Sequence, residues 1–574
     1  MNAANQPPKA ILALDSGALV TRGFLFDIVG SSYHLTASAD SFSSHLAPNF
    51  DIGEAIYHVV SRLQEVTGRV LMDPRSLLIM PVNDNSEGVD QFFITTSCAP
   101  ELKIVAVGLL NEVSLESAKK LAYSVTGQLV DVLSINDRRS SALQMDAILA
   151  AKPDLIIFAG GTENGANRSL IRTADLLCGA LGSLPRGGRP HVLFCGNQAL
   201  AADLEYAFSR YTTIQSAPNI RPTLEKEVLE PAMMAIDAIM MEKVNHQVGG
   251  LERISTLCST PPQLAGSSFH HVIKFLGRQY DPEKGVLALD IGTDTSLAAY
   301  ANHKNSSLNV FDFGLGSGIE KLLARAEIQD ITRWLTHDWQ MDDVSDYLWN
   351  CSLFPQRVAT TEVELEIEMA AARQLLRVMM HDLGLRGSVQ SSYFEPILIS
   401  GSIFGQTTSA AQALRVILDG IQPLGITPLI LDKHGLLPTL GTVGAINPLL
   451  SVQLLDSPAF TNLATVVNVV SRARRGSQVM FARLTYQDGR VKETAIKQGS
   501  LISLPLPEGA QGELVLRPTR RVEVEETVFS AEPMKVRGGV CGLVIDARGR
   551  PLRLPDSKDK RIERLKEWDL IPVD

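Results

Sequence analysis

The chain is short of cysteine and of any long apolar run, and each shortage removes a class of protein. Its 574 residues hold six cysteines, at positions 98, 178, 195, 258, 351 and 541, with no C-x-x-C pair. That scatter excludes a disulfide scaffold and a cysteine-built zinc site, and it suits the reduced, mostly buried thiols of a cytoplasmic protein. No stretch approaches the roughly 18–20 apolar residues of a membrane span, and the N-terminal MNAANQPPKA lacks the basic-then-apolar order of a signal peptide. Positive charge is in deficit as well: 53 Lys and Arg against 63 Asp and Glu leave a net charge of −10. A general nucleic-acid binder would be basic. The expectation is a cytoplasmic protein with neither membrane segment nor nucleic-acid partner. At about 150 residues per domain its length predicts three or four units.

What is present begins with a repeated motif. Ile11–Asp27 reads ILALDSGALVTRGFLFD, and Val286–Tyr300 reads VLALDIGTDTSLAAY. In both, four apolar residues precede an Asp, a Gly follows two positions later, and a second strand-like run comes next. A hairpin with Asp at its tip sets a carboxylate beside a Gly backbone that a phosphate or hydrated cation can approach closely. Two copies predict a duplicated, two-lobed body with a nucleotide cleft between the lobes. In that arrangement Asp15 and Asp290 each hold a water of a bound Mg²⁺, and the hydroxyls of Thr293 and Thr295 join the turn amides on phosphate oxygens. Turn geometry alone also accounts for a single D-x-G.

Between and after the repeats, strands alternate with helices. Asp154–Gly161 is an apolar strand that ends in Gly160-Gly161-Thr162-Glu163-Asn164-Gly165, and Glu163 would order water or metal if this loop reaches the cleft. Gly314–Gly318 and Gly401–Gly405 also close apolar strands. As ligand loops, Gly314 and Gly316 would admit a phosphate, and Gly401 with Ser402 an adenosine ring; as structure they are short turns. Asp51 and Gly68 bracket one predicted helix, and Thr361 with Glu364 forms a capping box at the head of another, 361–383. SLLIMPV, 76–82, is a further strand candidate, and LLPTLGTVGAI, 436–446, carries glycines at a spacing suited to close helix packing. From about 455 the rhythm changes to short strands, with an Asp488-Gly489 hairpin signal.

The succession DSGALVTRGF, FFITTSCAPELKIVAVGL, DLIIFAGGTENG, VLFCGN, LEPA, VLALDIGTDTS, LISGSIFG and LLPTLGTVGAINP resembles the glutamate mutase L family over nearly the whole chain, as does GGVCGLVIDARGRPLRLP near the C-terminus. The resemblance implies an α/β fold: a duplicated actin-like, ribonuclease H-like two-lobed ATPase with a C-terminal β-rich domain. Its expected divisions are 1–284 (first lobe with an inserted αβ segment), 285–454 (second lobe) and 455–574 (β-rich domain with a terminal helix). It implies ATP and Mg²⁺ as cofactors, and a role as chaperone or reactivating factor for a cobalamin-dependent carbon-skeleton mutase. The family's D-I-G-S-T-x-T-K falls on Asp15 to Arg22, which adds Gly17, Thr21 and Arg22 to the expected nucleotide contacts. Its D-I-G-G-A-T-T-D falls on Asp290 to Leu297 and brings in Gly292, while G-G-T-D-G-G falls on Gly160, Gly161, Thr162 and the three residues after them.

This sequence departs from the pattern at Ala18-Leu19, where the family has a hydroxyl pair, and at Asp294, which adds negative charge beside the second loop. Each lost charge-assisted hydrogen bond to a phosphate is worth roughly 1.5–3 kcal/mol. Weak hydrolysis, or binding without turnover, fits those losses. A non-hydrolysing scaffold and a small-molecule kinase on the same fold are the rival expectations.

Overall fold

The computed structural model describes residues 8–389, 393–524 and 533–569. Two of its sheets share one plan. In the first, Ala10–Ser16, Val20–Val29 and Ser32–Phe42 form an antiparallel meander, and Gln91–Thr96 then joins parallel to Ala10–Ser16. In the second, Val286–Ile291, Ser296–Ala301 and Ser306–Phe311 repeat the meander, and Ile397–Gly401 and Ile426–Asp432 add in parallel. This repeated order is the ribonuclease H-like, actin-like fold, one copy per lobe. Both first strands are fully or almost fully buried, as apolar runs flanked on both sides of a sheet must be.

Between the first lobe's strands the chain inserts a five-stranded, all-parallel sheet, in the order Gly127–Leu133, Leu102–Val107, Leu155–Phe158, His191–Phe194, Ile214–Ser216. The second lobe's sheet does not stop near the expected boundary at 455. Phe460–Asn468 pairs with Ile426–Asp432, and Leu543–Asp546 and Leu501–Leu504 extend the same sheet to eight strands. The remainder forms a separate four-stranded antiparallel sheet, among Val491–Lys497, Gln478–Tyr486, Gln511–Pro518 and Met534–Arg537, and a two-strand pair, Val470–Ser471 with Val522–Glu523. Long-range pairing decided this, and no local sequence signal carries it. The candidate strand at 76–82 is absent too. That segment is a loop containing the single bridge Met72–Leu78.

Two helices open where their caps place them, although the second runs two residues past its expected end at 383. Asp51 accepts from the Gly53 amide, Ile52–Thr67 follows, and Gly68 ends it in the left-handed region at φ 69°. The Thr361–Glu364 capping box opens Glu362–Leu385, with both of its reciprocal bonds formed. The lobes meet where Ala265–Leu276 crosses Leu437–Gly444. There a Cβ on Gly441 would sit 1.9 Å from the Ser268 carbonyl oxygen, so only glycine permits the approach. The Ser268 and Thr442 hydroxyls hydrogen-bond across the same crossing at 2.9 Å. Apolar side chains of both first strands, including Ile11, Ala13 and Ala288, share one core with these helices. The cleft described below lies beside that shared core.

Candidate functional site

The duplicated plan places Asp15 and Asp290 at matching points, near the carboxyl end of each lobe's first strand. In register, Asp15 lies beside Thr95 on the parallel neighbour and Asp290 beside Ser400. Each neighbour donates its hydroxyl to its carboxylate, Thr95 to Asp15 at 3.2 Å and Ser400 to Asp290 in a short bond. Each hairpin then turns on a glycine. A Cβ on Gly17 would meet the Val20 carbonyl at 2.7 Å, and one on Gly292 the Thr295 carbonyl at 2.1 Å.

The two tips line one cleft of about 400 Å³ together with Arg22, Thr293, Thr295, Gly316, Gly401 and Ser402. This lies within the roughly 300–1,000 Å³ of small-molecule sites. Burial pushes the Asp15 carboxyl up to about 6, and the neighbouring Asp290 charge pushes the same way; Arg22 and Thr95 oppose them. Burial also raises Asp290, against Ser400 and Arg22. Arg22 therefore acts on the carboxylates of both lobes. Its guanidinium lies 3.7 Å from Asp15 and reaches toward Gly435, whose added Cβ would be 3.3 Å from Nη1.

A third carboxylate, missed in the sequence, faces the same space. Asp432 ends Ile426–Asp432 beside Ser400, and it lines the cleft while 1% exposed. Its Oδ2 accepts from the Leu437 amide at 2.9 Å, and its Oδ1 has no hydrogen-bond partner among the described residues. Burial, with Asp290 adding to it, raises this carboxyl to about 6, against the amides of residues 435–437. The clue was available: ITPLILD is an apolar strand ending in Asp, with Gly435 three positions on.

Other expected site residues lie elsewhere. Thr21 is fully buried and spends its hydroxyl on Ser43 at 2.9 Å; its counterpart Ser296 donates to the Phe313 carbonyl at 2.8 Å. Both brace the exit of a third strand behind the cleft. Gly314 supports the second loop from beneath, where a Cβ would strike the Gly292 and Thr293 carbonyls at 2.5 Å. Gly160, Gly161, Thr162 and Glu163 are not among the cleft-lining residues. They close a strand of the inserted sheet, where Asn219 donates to Glu163 at 2.8 Å and to the Gly161 carbonyl at 2.9 Å. Cys98 lies beneath the first hairpin, 3.2 Å from the Ser16 and Gly17 carbonyl oxygens, and burial lifts its thiol to about 11, the environment of an inert cysteine.

Among the described residues no three His, Cys, Asp or Glu side chains converge tightly enough to hold a metal directly. Asp15 and Asp290 suit a cation that keeps its water shell, as Mg²⁺ does. No helix of the described residues is long and apolar enough to cross a membrane.

Comparison with solved structures gives low-identity likenesses. A glycerol dehydratase reactivase is 10% identical with a TM-score of 0.31, over 76% of this chain and 99% of that one. A diol dehydratase-reactivating factor is 8% identical with a TM-score of 0.30, over 79% and 100%. Gluconate kinase of Lactobacillus acidophilus is 11% identical with a TM-score of 0.31, over 78% and 92%. Among curated proteins, Protein MutL of Clostridium tetanomorphum is 24% identical over 205 residues, which span 35% of this chain and 42% of that relative. The family model described as MutL protein matches residues 11–458, across both repeated hairpins and the inserted sheet. With most of its length inside that match, the chain belongs to the MutL family, glutamate mutase L.

Proposed function

We propose that the cleft binds ATP with Mg²⁺, and that lobe closure on the nucleotide remodels a cobalamin-dependent carbon-skeleton mutase. The observation that carries this reading is the pairing of Asp15 and Asp290 across one cleft, each at the tip of a repeated hairpin. The glycines at 17 and 292 let backbone amides approach the phosphates, and Arg22, Thr293, Thr295 and Ser402 supply further donors. Asp15 and Asp290 would hold the water shell of Mg²⁺, which when bound neutralises phosphate charge and orients the terminal phosphoryl group. Glu163, bonded to Asn219 away from the cleft, takes no part. Family membership supports the mutase as client.

A second reading, nucleotide binding without turnover, is favoured by Ala18-Leu19, which brings no hydroxyl to the first tip, and by Asp294 near the second. Titration of ATP with and without Mg²⁺, alongside a phosphate-release assay, separates the two. The ATPase reading expects binding and slow turnover, both lost in Asp15→Ala and Asp290→Ala. Binding without turnover supports the scaffold, and unchanged ATP affinity in both variants overturns the cleft as the nucleotide site. Pull-down of a mutase subunit that changes with ATP supports the client; no ATP-dependent capture contradicts it.

A further inference from the structure

A second cavity, of about 240 Å³, lies between the lobes on the far side of a clasp from the nucleotide cleft. In the clasp, the Val310 amide of the second lobe's outer strand donates to the Tyr123 carbonyl at 2.7 Å. Arg386 packs over Tyr123 and Phe311, its guanidinium 4.0 and 4.7 Å from the ring centres. Ser124 lines both cavities, so this clasp is the wall that divides them.

The chain as a whole carries −10, yet this cavity gathers Lys120, Lys274 and Arg278 from one side and Lys304 from the second lobe's hairpin. Its two carboxylates are already engaged. Glu227 is held by Lys120 at 3.0 Å and Arg221 at 2.9 Å, and Glu230 by Lys274 at 2.5 Å. Arg278 and Lys304 form no ion pair among the described residues. His270 also lines the cavity. It is 5% exposed, and its Nε2 has no hydrogen-bond partner among the described residues. Buried ring nitrogens ordinarily find one. Burial, helped by His271 and Lys274, lowers this imidazole to about 4, so it is neutral near pH 7 and offers one donor and one acceptor.

We propose that this cavity binds a small doubly charged oxyanion, of phosphate or dicarboxylate type, which bridges Lys304 of the second lobe to Lys274 and His270 of the first. The ligand sits across the lobe interface, so its binding strengthens the clasp and disfavours opening. This does not depend on the cleft's taking ATP: loss of ATP binding would leave it standing.

The test is calorimetric titration of the full chain with inorganic phosphate and, separately, with succinate, on the native protein, Lys304→Glu, His270→Phe and Arg22→Gln. Lys304 sits on an exposed hairpin, so its variant keeps the experiment decisive if His270→Phe fails to fold. Saturable binding of one anion is expected, weakened about tenfold or more in Lys304→Glu and kept in Arg22→Gln. Whichever anion binds fixes the ligand type. Hydrogen exchange of the Val310 amide should slow when that anion is present. Absence of binding by both anions, native affinity in Lys304→Glu, loss only in Arg22→Gln, or unchanged Val310 exchange would overturn the proposal.

Discussion

Asp15 and Asp432 in the cleft, and Asp419 and Asp546 under the C-terminal segment, are all buried, at 6%, 1%, 0% and 0% exposure. Their protons are nevertheless pulled in opposite directions. Asp419 receives Arg373 at 3.0 Å and Arg548 at 2.6 Å, and Asp546 receives Arg548 at 2.9 Å and Arg550 at 2.8 Å. Those guanidinium groups overcome burial and hold both carboxyls well below the usual range. In the cleft, Arg22 stands at 3.7 Å from Asp15, Asp432 keeps an unpartnered oxygen, and burial wins. The saturated cluster fastens strand Leu543–Asp546 to the second lobe through Arg548 and Asp419, and Arg415, also beside Asp419, donates to the Leu565 carbonyl of the terminal helix Lys558–Glu567. The unsaturated one leaves buried carboxyls short of partners, a pattern that clusters at functional sites.

Breaking the saturated side should have the largest effect. Arg548→Leu takes one of two hydrogen-bonded guanidinium partners from each of two buried carboxylates, and a loss of about 3–5 kcal/mol in urea unfolding is expected. Arg22→Met should cost far less. Equal losses would erase the contrast between the two regions.

On the cleft side the sign reverses. The folded carboxyl of Asp15, at about 6, lies above its ordinary value of 3.8. Its contribution to stability is complete below that ordinary value and disappears as pH rises through about 6. Asp15→Asn should therefore stabilise the protein at pH 7.5, by up to about 3 kcal/mol, with the gain vanishing near pH 4. Asp432→Asn should behave alike. Thermal unfolding across that pH range checks both, and a destabilised variant at pH 7.5 would mean that the charges are already satisfied.

Smaller effects sharpen the account of the helix crossing and the caps. Gly441→Val must push the crossing helices apart, at about 1–3 kcal/mol by urea unfolding. Thr361→Ala removes one half of a capping box and should cost about 1 kcal/mol, a fall in melting temperature of a degree or two.

How much of this was legible follows from how local each signal is. The repeated hairpins and the caps at Asp51, Gly68 and Thr361 are written in a few adjacent residues, and they form as read. Asp432 obeys the same grammar in a single copy, with no echo to draw the eye. The loop at 160–165 was over-read because strand exits in any parallel sheet carry glycines, and nothing local says which sheet a strand joins. The extension of the second sheet past 455 pairs strands that lie dozens of residues apart, and the arginine cluster joins Asp419 to Arg548, 129 residues further along the chain. No window of sequence displays such a pair.

The most direct test is a crystal structure of the protein with Mg²⁺ and a non-hydrolysable ATP analogue. The account predicts the phosphates between the Gly17 and Gly292 turns, with Asp15 and Asp290 reaching the cation through water. A nucleotide bound on another surface, or a cleft still empty at saturating analogue, would contradict it.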